Sequence, residues 1–131
     1  GRRILMAEDN ETNAEIAVSI LEEVHGAHVE VAHNGREAVD MFSAHPAGYY
    51  DFILMDVQMP VMDGRTAART IRALPRPDAK TELIFALSAD AFLEDERQSV
   101  EAGMNGHFSK PVNYDELRRC VGTFFKSRED G

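Results

Sequence analysis

The chain has 131 residues, of which 44% are hydrophobic and 28% are charged, a composition that predicts one soluble globular domain and excludes a disordered chain. Its net charge of −9 argues against direct binding to nucleic acid or to an anionic membrane surface. Its one cysteine, Cys120, excludes an internal disulfide, and no apolar run approaches the roughly 20 residues that span a bilayer.

The cysteine and the start of the chain indicate the origin of the domain. Since a reducing compartment fits the single cysteine, we expect a cytoplasmic location. Cys120 is interpreted as a structural apolar thiol because it lies at helical spacing from Leu117 and Phe124. The first residues carry neither an initiator methionine nor a signal-peptide pattern. We therefore expect residues 1–131 to be a single domain, with a core at about 3–126, excised from a longer chain.

The first half of the chain alternates short apolar segments with amphipathic segments. Residues 4–7 predict a buried strand that stops at acidic residues. Residues 11–24 predict a helix because apolar side chains recur at helical spacing, and residues 29–32 predict a second strand. A turn at residues 34–35 is then expected to lead into a second helix that reaches residue 42.

The second half of the chain repeats this alternation. A third strand is predicted at residues 52–55 and ends at an acid, and Asp63 is a good N-cap for a third helix. The remaining predicted elements are strands at 83–87 and 107–109 and helices at 92–102 and 114–125. Because strands alternate with helices, we expect right-handed crossovers and a parallel sheet covered on both faces, which is a three-layer doubly wound α/β fold.

Polar side chains follow four of the predicted strands at the points where the strands end. Glu8 and Asp9 follow the first strand, and Asp56 follows the third. Ser88 follows the fourth strand and Lys110 follows the fifth. In open α/β sheets, binding sites lie beyond the carboxyl ends of the strands. Helix capping explains each of these residues alone, but their joint placement favours a functional site.

Three carboxylates, a hydroxyl and an ammonium group suit phosphoryl transfer to a carboxylate. Clustered acids repel one another and favour a hard divalent cation, and Mg²⁺ needs only one or two carboxylates. Glu8 and Asp9 can hold this ion while Asp56 ligates it and attacks. The metal and Lys110 would neutralise charge on the transferred group, and Ser88 would donate a hydrogen bond to it.

Five stretches of the chain carry a family resemblance: Glu8-Asp9-Asn10, Asp56-Val57-Gln58-Met59-Pro60, Met62-Asp63-Gly64, Leu87-Ser88-Ala89 and Lys110-Pro111. With them, the chain resembles the receiver (response regulator) domain of two-component systems from Arg3 to about Phe125. The resemblance implies a flavodoxin-like (βα)5 fold with five parallel strands in the order 2-1-3-4-5. It also implies a phosphorelay function, in which the domain assists its own phosphorylation and dephosphorylation.

The resemblance assigns roles to the acidic residues. Asp56 matches the phosphoacceptor of the family, and Glu8 and Asp9 match its metal acids. Gln58 matches the position whose backbone carbonyl ligates the metal. The cofactor that the resemblance implies is Mg²⁺ or Mn²⁺.

The residues that contact the phosphoryl group match the family with some substitutions. Ser88 and Lys110 match its hydroxyl and its lysine, and the Lys110–Pro111 peptide bond is expected to be cis. Ser88 replaces the more usual Thr, and Glu8 replaces an Asp, so that its metal contact is expected to run through water. His107 stands where many members carry a Tyr or Phe that swings inward, which makes it the candidate switch residue.

A closer resemblance is to the receivers of hybrid sensor histidine kinases. The stretches that carry it are Glu8–Glu11, Met59–Gly64 and Gly103–His107. It implies exchange of the phosphoryl group with the histidine of a kinase or of a histidine phosphotransfer domain. Such a partner must reach Asp56 past the first helix, so the expected partner surface consists of Asn13, Ile16 and Pro111. Burial of Ile16 in the core is the alternative interpretation.

Several other functions compete with this interpretation. A metal-dependent phosphatase with an aspartyl nucleophile would need a second acid where Gln58 stands. A flavodoxin-like binding protein would need a phosphate loop rich in Ser, Thr and Gly after the first strand. A stand-alone response regulator is a further alternative. So is a degenerate receiver that binds partners without phosphorylation, although it would normally lack Asp56 or Lys110.

Other conspicuous side chains have simpler interpretations. His25 and His28 are expected at the surface, because no cysteine lies near them in the sequence to complete a metal site. The basic stretch Arg65–Arg76 is expected to be a solvated face. The methionines within residues 55–62 are expected to fill gaps around the site.

Overall fold

The computed structural model describes residues 3–46, 49–57, 59, 61–80, 82–88, 97, 101–109, 115–116, 119–120 and 122–123. The strands are β1 (Arg3–Ala7), β2 (His28–Ala32), β3 (Phe52–Asp56), β4 (Ile84–Ser88) and β5 (Gly106–Ser109). The described helices are α1 (Glu11–His25), α2 (Gly35–Ser43) and α3 (Gly64–Arg72). The helices predicted at 92–102 and 114–125 lie mostly outside the described residues. Within the described residues, no helix has both the length and the hydrophobicity that crossing a bilayer requires.

The strands form one parallel sheet in the order β2-β1-β3-β4-β5. At the carboxyl end of β1, Ala7 pairs with Ala32 of β2 on one side and with Met55 of β3 on the other. Asp56, the last residue of β3, pairs with Leu87 of β4. Because the last residues of these strands are paired with one another, the carboxyl ends of neighbouring strands lie at the same edge of the sheet. The parallel α/β architecture predicted from the sequence is confirmed.

The sheet is buried on both faces. On one face, α2 and α3 cover a cluster that includes Ile53 and Met55 of β3. On the other face, α1 covers a cluster that includes Leu54 of β3 and Leu21 of its own. Alternate strand residues point to opposite faces, which is why the central strands are continuous apolar runs. Burial of each large side chain contributes about 1.5–3 kcal/mol, and the three-layer arrangement is confirmed for the described helices.

Each described helix begins with a side-chain cap. The caps are Asn10, Asn34 and Asp63, whose side chains accept backbone N–H bonds at 3.0, 2.8 and 2.8 Å. Such a cap contributes about 1 kcal/mol to stability. The predicted cap at Asp63 is confirmed. The chain does turn between β2 and α2, at His33 and Asn34, one residue earlier than predicted, and Gly35 is already the first residue of α2. Asparagine is favoured both in turns and at helix caps.

Two interpretations of surface residues were wrong. Cys120 is exposed and is not packed as an apolar thiol, since helical spacing alone does not set how far an apolar stripe extends around a helix. The basic stretch Arg65–Arg76 is not a uniform solvated face. Arg69 is exposed, but Arg72 and Arg76 are partly buried and donate hydrogen bonds to backbone carbonyls.

Arg72 joins the end of α3 to the loop that precedes β5. Its guanidinium donates to the carbonyl oxygen of Gly103 at 2.9 and 2.7 Å and to Oδ1 of Asn105 at 2.9 Å. The same Oδ1 accepts the backbone N–H of Ile84 at 2.9 Å, at the start of β4. The pKa of Arg72 is lowered, because burial lowers it more than the nearby Glu82 carboxylate raises it. These bonds hold the loop before β5 against both α3 and the start of β4.

Arg72→Ala is expected to lower the free energy of unfolding by about 1.5–3 kcal/mol, because it removes hydrogen bonds from a charged donor. Arg69→Ala, at an exposed position of the same helix, is the matched control and should change it by about 0.5 kcal/mol or less. Urea denaturation of the two variants and the wild type measures both values. Equal destabilisation by the two substitutions would contradict the role assigned to Arg72.

Candidate functional site

Three carboxylates meet at the carboxyl edge of the sheet. Oxygens of Glu8, Asp9 and Asp56 all lie within 4.8 Å of one another. The register explains this, since Ala7 pairs with Met55, and the residues that follow each of them are Glu8 and Asp56. The backbone N–H of Glu8 also donates to the carbonyl of Ala32 at 2.9 Å, which extends the strand pairing by one residue. The predicted convergence of these three acids is therefore present.

The donor set fits a hard divalent cation. All three side chains offer carboxylate oxygens, which are the ligands that Mg²⁺ and Mn²⁺ prefer. Glu8 and Asp56 are each 2% exposed, whereas Asp9 lies at the surface. Because Mg²⁺ keeps several of its waters, one solvent-facing side suits it. Three like charges at this separation repel one another, and a bound cation would offset that repulsion.

Asn13 contacts the acidic cluster from the first turn of α1. Its amide Nδ2 donates a hydrogen bond to Oε1 of Glu8 at 3.3 Å. Its backbone N–H donates to the Asn10 cap at 3.0 Å. From the sequence, Asn13 is expected on the partner surface, and its contact with Glu8 is not predicted. A signal was present in the length of Glu8, since a glutamate side chain reaches further than the aspartate that the family resemblance implies.

Two large apolar side chains are exposed among the described residues, and both lie on segments that adjoin the acids. Ile16 on α1 is 42% exposed, which decides against its burial in the core. Val61, in the loop between Asp56 and α3, is 83% exposed and has a φ of 67°. A β-branched residue rarely adopts this left-handed conformation. The sequence carries no signal for it, because valine predicts extended backbone.

Two glycines hold the loop that follows Asp56. The N–H of Gly64 donates to the carbonyl of Val57, and the N–H of Gly35 donates to the carbonyl of Met62, both at 3.0 Å. A Cβ on Gly64 would lie 2.2 Å from the carbonyl oxygen of Asp56, and one on Gly35 would lie 2.3 Å from that of Met62. Since real Cβ contacts are longer, only glycine permits these close backbone approaches.

Other predicted site residues fall wholly or partly outside the described residues. Gln58, Lys110 and Pro111 lie outside them, and so does the predicted cis bond. The backbone of Ser88 ends β4, and that of His107 pairs with Ala86 of β4. The side chains of these two residues lie outside the described set.

Residues 4–122 match the family of response regulator receiver domains. The chain is 34% identical over 124 residues to hybrid signal transduction histidine kinase K of Dictyostelium discoideum. This match covers 91% of the chain and 10% of the kinase, so the chain spans a small part of that relative.

Solved structures show the same similarity. The chain is 35% identical to the receiver domain of sensor histidine kinase PA1611 from Pseudomonas aeruginosa PAO1, crystallised with a magnesium ion coordinated in the active site cleft. The TM-score is 0.81, with 95% of this chain and 97% of that chain covered. It is also similar to a chain from the co-crystal structure of the Saccharomyces cerevisiae histidine phosphotransfer signaling protein Ypd1 and the receiver domain of its downstream response regulator Ssk1. There the TM-score is 0.77, the identity is 31%, and the coverage is 88% of this chain and 83% of that chain.

Gly64→Ala is expected to lower the free energy of unfolding by about 1–3 kcal/mol through overpacking and to weaken Mg²⁺ binding by displacing Asp56. The destabilisation should appear although alanine is the better helix former. Chemical denaturation and Mg²⁺ titration calorimetry measure the two effects.

Gly26→Ala is the control, because a Cβ there meets nothing within 4 Å and the φ of +62° only adds backbone strain, worth about 1–2 kcal/mol. It should destabilise the fold but leave the Mg²⁺ affinity unchanged. Wild-type Mg²⁺ affinity in the Gly64→Ala protein would show that the close approach does not position Asp56.

Proposed function

The chain belongs to the response regulator receiver domain family, and on this premise we propose that it accepts a phosphoryl group from a phosphohistidine onto Asp56, with Mg²⁺ or Mn²⁺ bound. The observation that carries the proposal is the convergence of carboxylate oxygens from Glu8, Asp9 and Asp56 within 4.8 Å. Asp56 ends β3, the middle strand of the sheet, and is buried beside the two other acids. A buried carboxylate at an edge that carries further acids suits metal-assisted phosphoryl transfer better than helix capping.

In the proposed reaction, a carboxylate oxygen of Asp56 attacks the phosphorus of the phosphohistidine. An O–P bond forms while the P–N bond breaks, and the leaving imidazole of the partner takes up a proton. Glu8, Asp9 and the backbone carbonyl of Gln58 would hold the cation together with Asp56. The cation, when bound, would supply positive charge near the oxygens of the transferred group.

Lys110 and Ser88 complete the proposed site. The ammonium group of Lys110 would pair with one phosphoryl oxygen, and the hydroxyl of Ser88 would donate a hydrogen bond to another. Ser88 ends β4, beside the β3 strand that ends at Asp56, which supports its assignment. His107 is the proposed switch residue, because it lies on the neighbouring strand β5 and an imidazole can respond to protonation near neutral pH.

Three other aspartates are poor acceptors. Asp9 would direct its lone pairs at the cation as a ligand. Asp63 accepts the N–H and the hydroxyl of Thr66 at 2.8 and 3.1 Å as the cap of α3. Asp51 precedes β3 and accepts the N–H of Arg3 at 2.9 Å, at the opposite edge of the sheet. Asp56 is therefore the proposed sole acceptor.

The comparisons support the cofactor and the partner. The PA1611 receiver coordinates magnesium in its active site cleft, and the Ssk1 receiver was crystallised with the histidine phosphotransfer protein Ypd1. We infer a histidine kinase or histidine phosphotransfer domain as the partner of this chain. Similarity to a hybrid histidine kinase supports the proposal that this chain is a receiver domain of such a kinase. The proposed cytoplasmic location rests on the single cysteine, and the net charge of −9 argues against direct contact with nucleic acid or an anionic membrane.

Asp56→Asn is expected to abolish acid-labile phosphorylation, because an amide oxygen is too poor a nucleophile to replace the carboxylate. The measurement is intact mass after incubation with a small phosphodonor such as acetyl phosphate in Mg²⁺. Asp63→Asn is the matched control, since asparagine still caps a helix, and it should be phosphorylated like the wild type.

Removal of the metal by a chelator should also prevent phosphorylation of the wild type, because three carboxylates repel an incoming phosphate. Phosphate uptake at the wild-type level by Asp56→Asn, or by the wild type in chelator, would refute the proposed function.

The proposed partner surface consists of Asn13, Ile16 and Pro111, to which the exposed Val61 is added. A phosphohistidine must come within bonding distance of Asp56, so the partner must cover the adjoining segments. Ile16 on α1 and Val61 after β3 are exposed there. Full burial of one such side chain contributes about 1.5–3 kcal/mol.

The donor for this test is a phosphorylated histidine phosphotransfer protein that labels the wild type. Ile16→Glu is expected to slow transfer from it about tenfold, which is equivalent to a free-energy change of ~1.4 kcal/mol. Phosphorylation by acetyl phosphate should be unchanged. Ile16→Lys tests whether loss of the apolar contact is the cause, because lysine removes the same contact but introduces the opposite charge. Unchanged transfer rates from the protein donor in both variants would remove Ile16 from the partner surface.

A further inference from the structure

Glu8 is held by a side chain from α1 as well as by the hydrogen bond from its backbone N–H to Ala32. Its Oε1 accepts the amide N–H of Asn13 at 3.3 Å, across the turn between β1 and α1. The orientation of the amide follows from chemistry, since an ionised carboxylate only accepts hydrogen bonds and so faces the NH2 group. Asn13 is itself fixed by the hydrogen bond from its backbone N–H to the Asn10 cap.

The length of the glutamate side chain makes this contact significant. A glutamate has one more rotatable bond than an aspartate, so placing its carboxylate at a cation costs more conformational entropy. Glu8 is nevertheless buried, with oxygens within 4.8 Å of Asp9 and Asp56. A hydrogen bond from a side chain on a capped helix removes part of that freedom before a cation binds.

An amide suits this position electrostatically. It donates to the carboxylate without adding a positive charge that would compete with the cation. A carboxylate at the same position would add a fourth negative charge, and a hydroxyl is too short to span the turn. The hydrogen bond occupies one carboxylate oxygen and sets the direction in which the carboxyl group faces.

We propose that Asn13 is a positioning residue of the metal centre, which orients Glu8 toward the cation. This inference rests on the proposed metal-dependent function of the same site. It gives Asn13 a role inside the domain in addition to its place on the proposed partner surface. Loss of a side chain that hydrogen-bonds to a metal ligand typically lowers metal affinity 10–100-fold. Because 3.3 Å is a long hydrogen bond, we expect about tenfold, near the lower end of that range.

Titration calorimetry with MgCl2 on the whole chain tests the proposal without any phosphoryl transfer. Asn13→Ala should raise the dissociation constant for Mg²⁺ about tenfold. Thr12→Ala, an exposed polar residue on the same turn, is the matched control and should leave it unchanged. Thermal unfolding of each variant confirms that the titrations report folded protein.

A double-mutant cycle shows whether Asn13 acts through Glu8. In a Glu8→Asp background the shorter carboxylate does not reach Asn13, so adding Asn13→Ala should change the dissociation constant less than twofold. A general effect on the structure of α1 would instead lower the affinity equally in both backgrounds.

The outcomes separate the two proposals. Absence of Mg²⁺ binding by the wild type would defeat the proposed function itself. Binding by the wild type with equal affinity in Asn13→Ala would overturn the positioning role alone. An equal effect of Asn13→Ala in the wild-type and Glu8→Asp backgrounds would also overturn it, because Asn13 would then not act through Glu8.

Discussion

Repulsion among the carboxylates of Glu8, Asp9 and Asp56 is the constraint on which the rest of the structure depends. Two of the three are buried, and burial of like charges side by side opposes folding unless other interactions offset it. The parallel sheet supplies that offset by packing both of its faces. The sheet also keeps the three acids together, because a register shift of one residue would turn the side chain of Asp56 to the opposite face. A cation that binds only the folded chain would add stability by mass action.

The loop beyond β3 shows how backbone contacts hold this arrangement. Gly64 and Gly35 each donate a hydrogen bond into the loop and approach its backbone more closely than any side chain would allow. Val61 lies between the two hydrogen-bonded carbonyls, those of Val57 and Met62. It adopts a left-handed conformation that costs a non-glycine residue about 1–2 kcal/mol. It persists because the hydrogen bonds at both ends determine the path of the loop. The same path presents the Val61 side chain to solvent, five residues after Asp56.

Helix α1 serves two purposes through different residues. Its first turn is polar, and Asn13 reaches inward to Glu8. Less than one turn later, Ile16 faces outward and is exposed, although Ala17 next to it is buried under the helix. The proposed partner surface can therefore be altered at Ile16 without changing the proposed metal centre, whereas Asn13 belongs to both.

The sequence by itself determined the alternation of strands and helices, the cap at Asp63 and the convergence of the acids, because these depend on local periodicity and on the common edge of a parallel sheet. Only the tertiary structure decided that Ile16 is exposed, that Asn13 binds Glu8 and that Arg72 binds the loop before β5. These contacts depend on the rotation of each helix about its axis and on side chains that meet across turns or between distant segments. Periodicity alone leaves both undetermined.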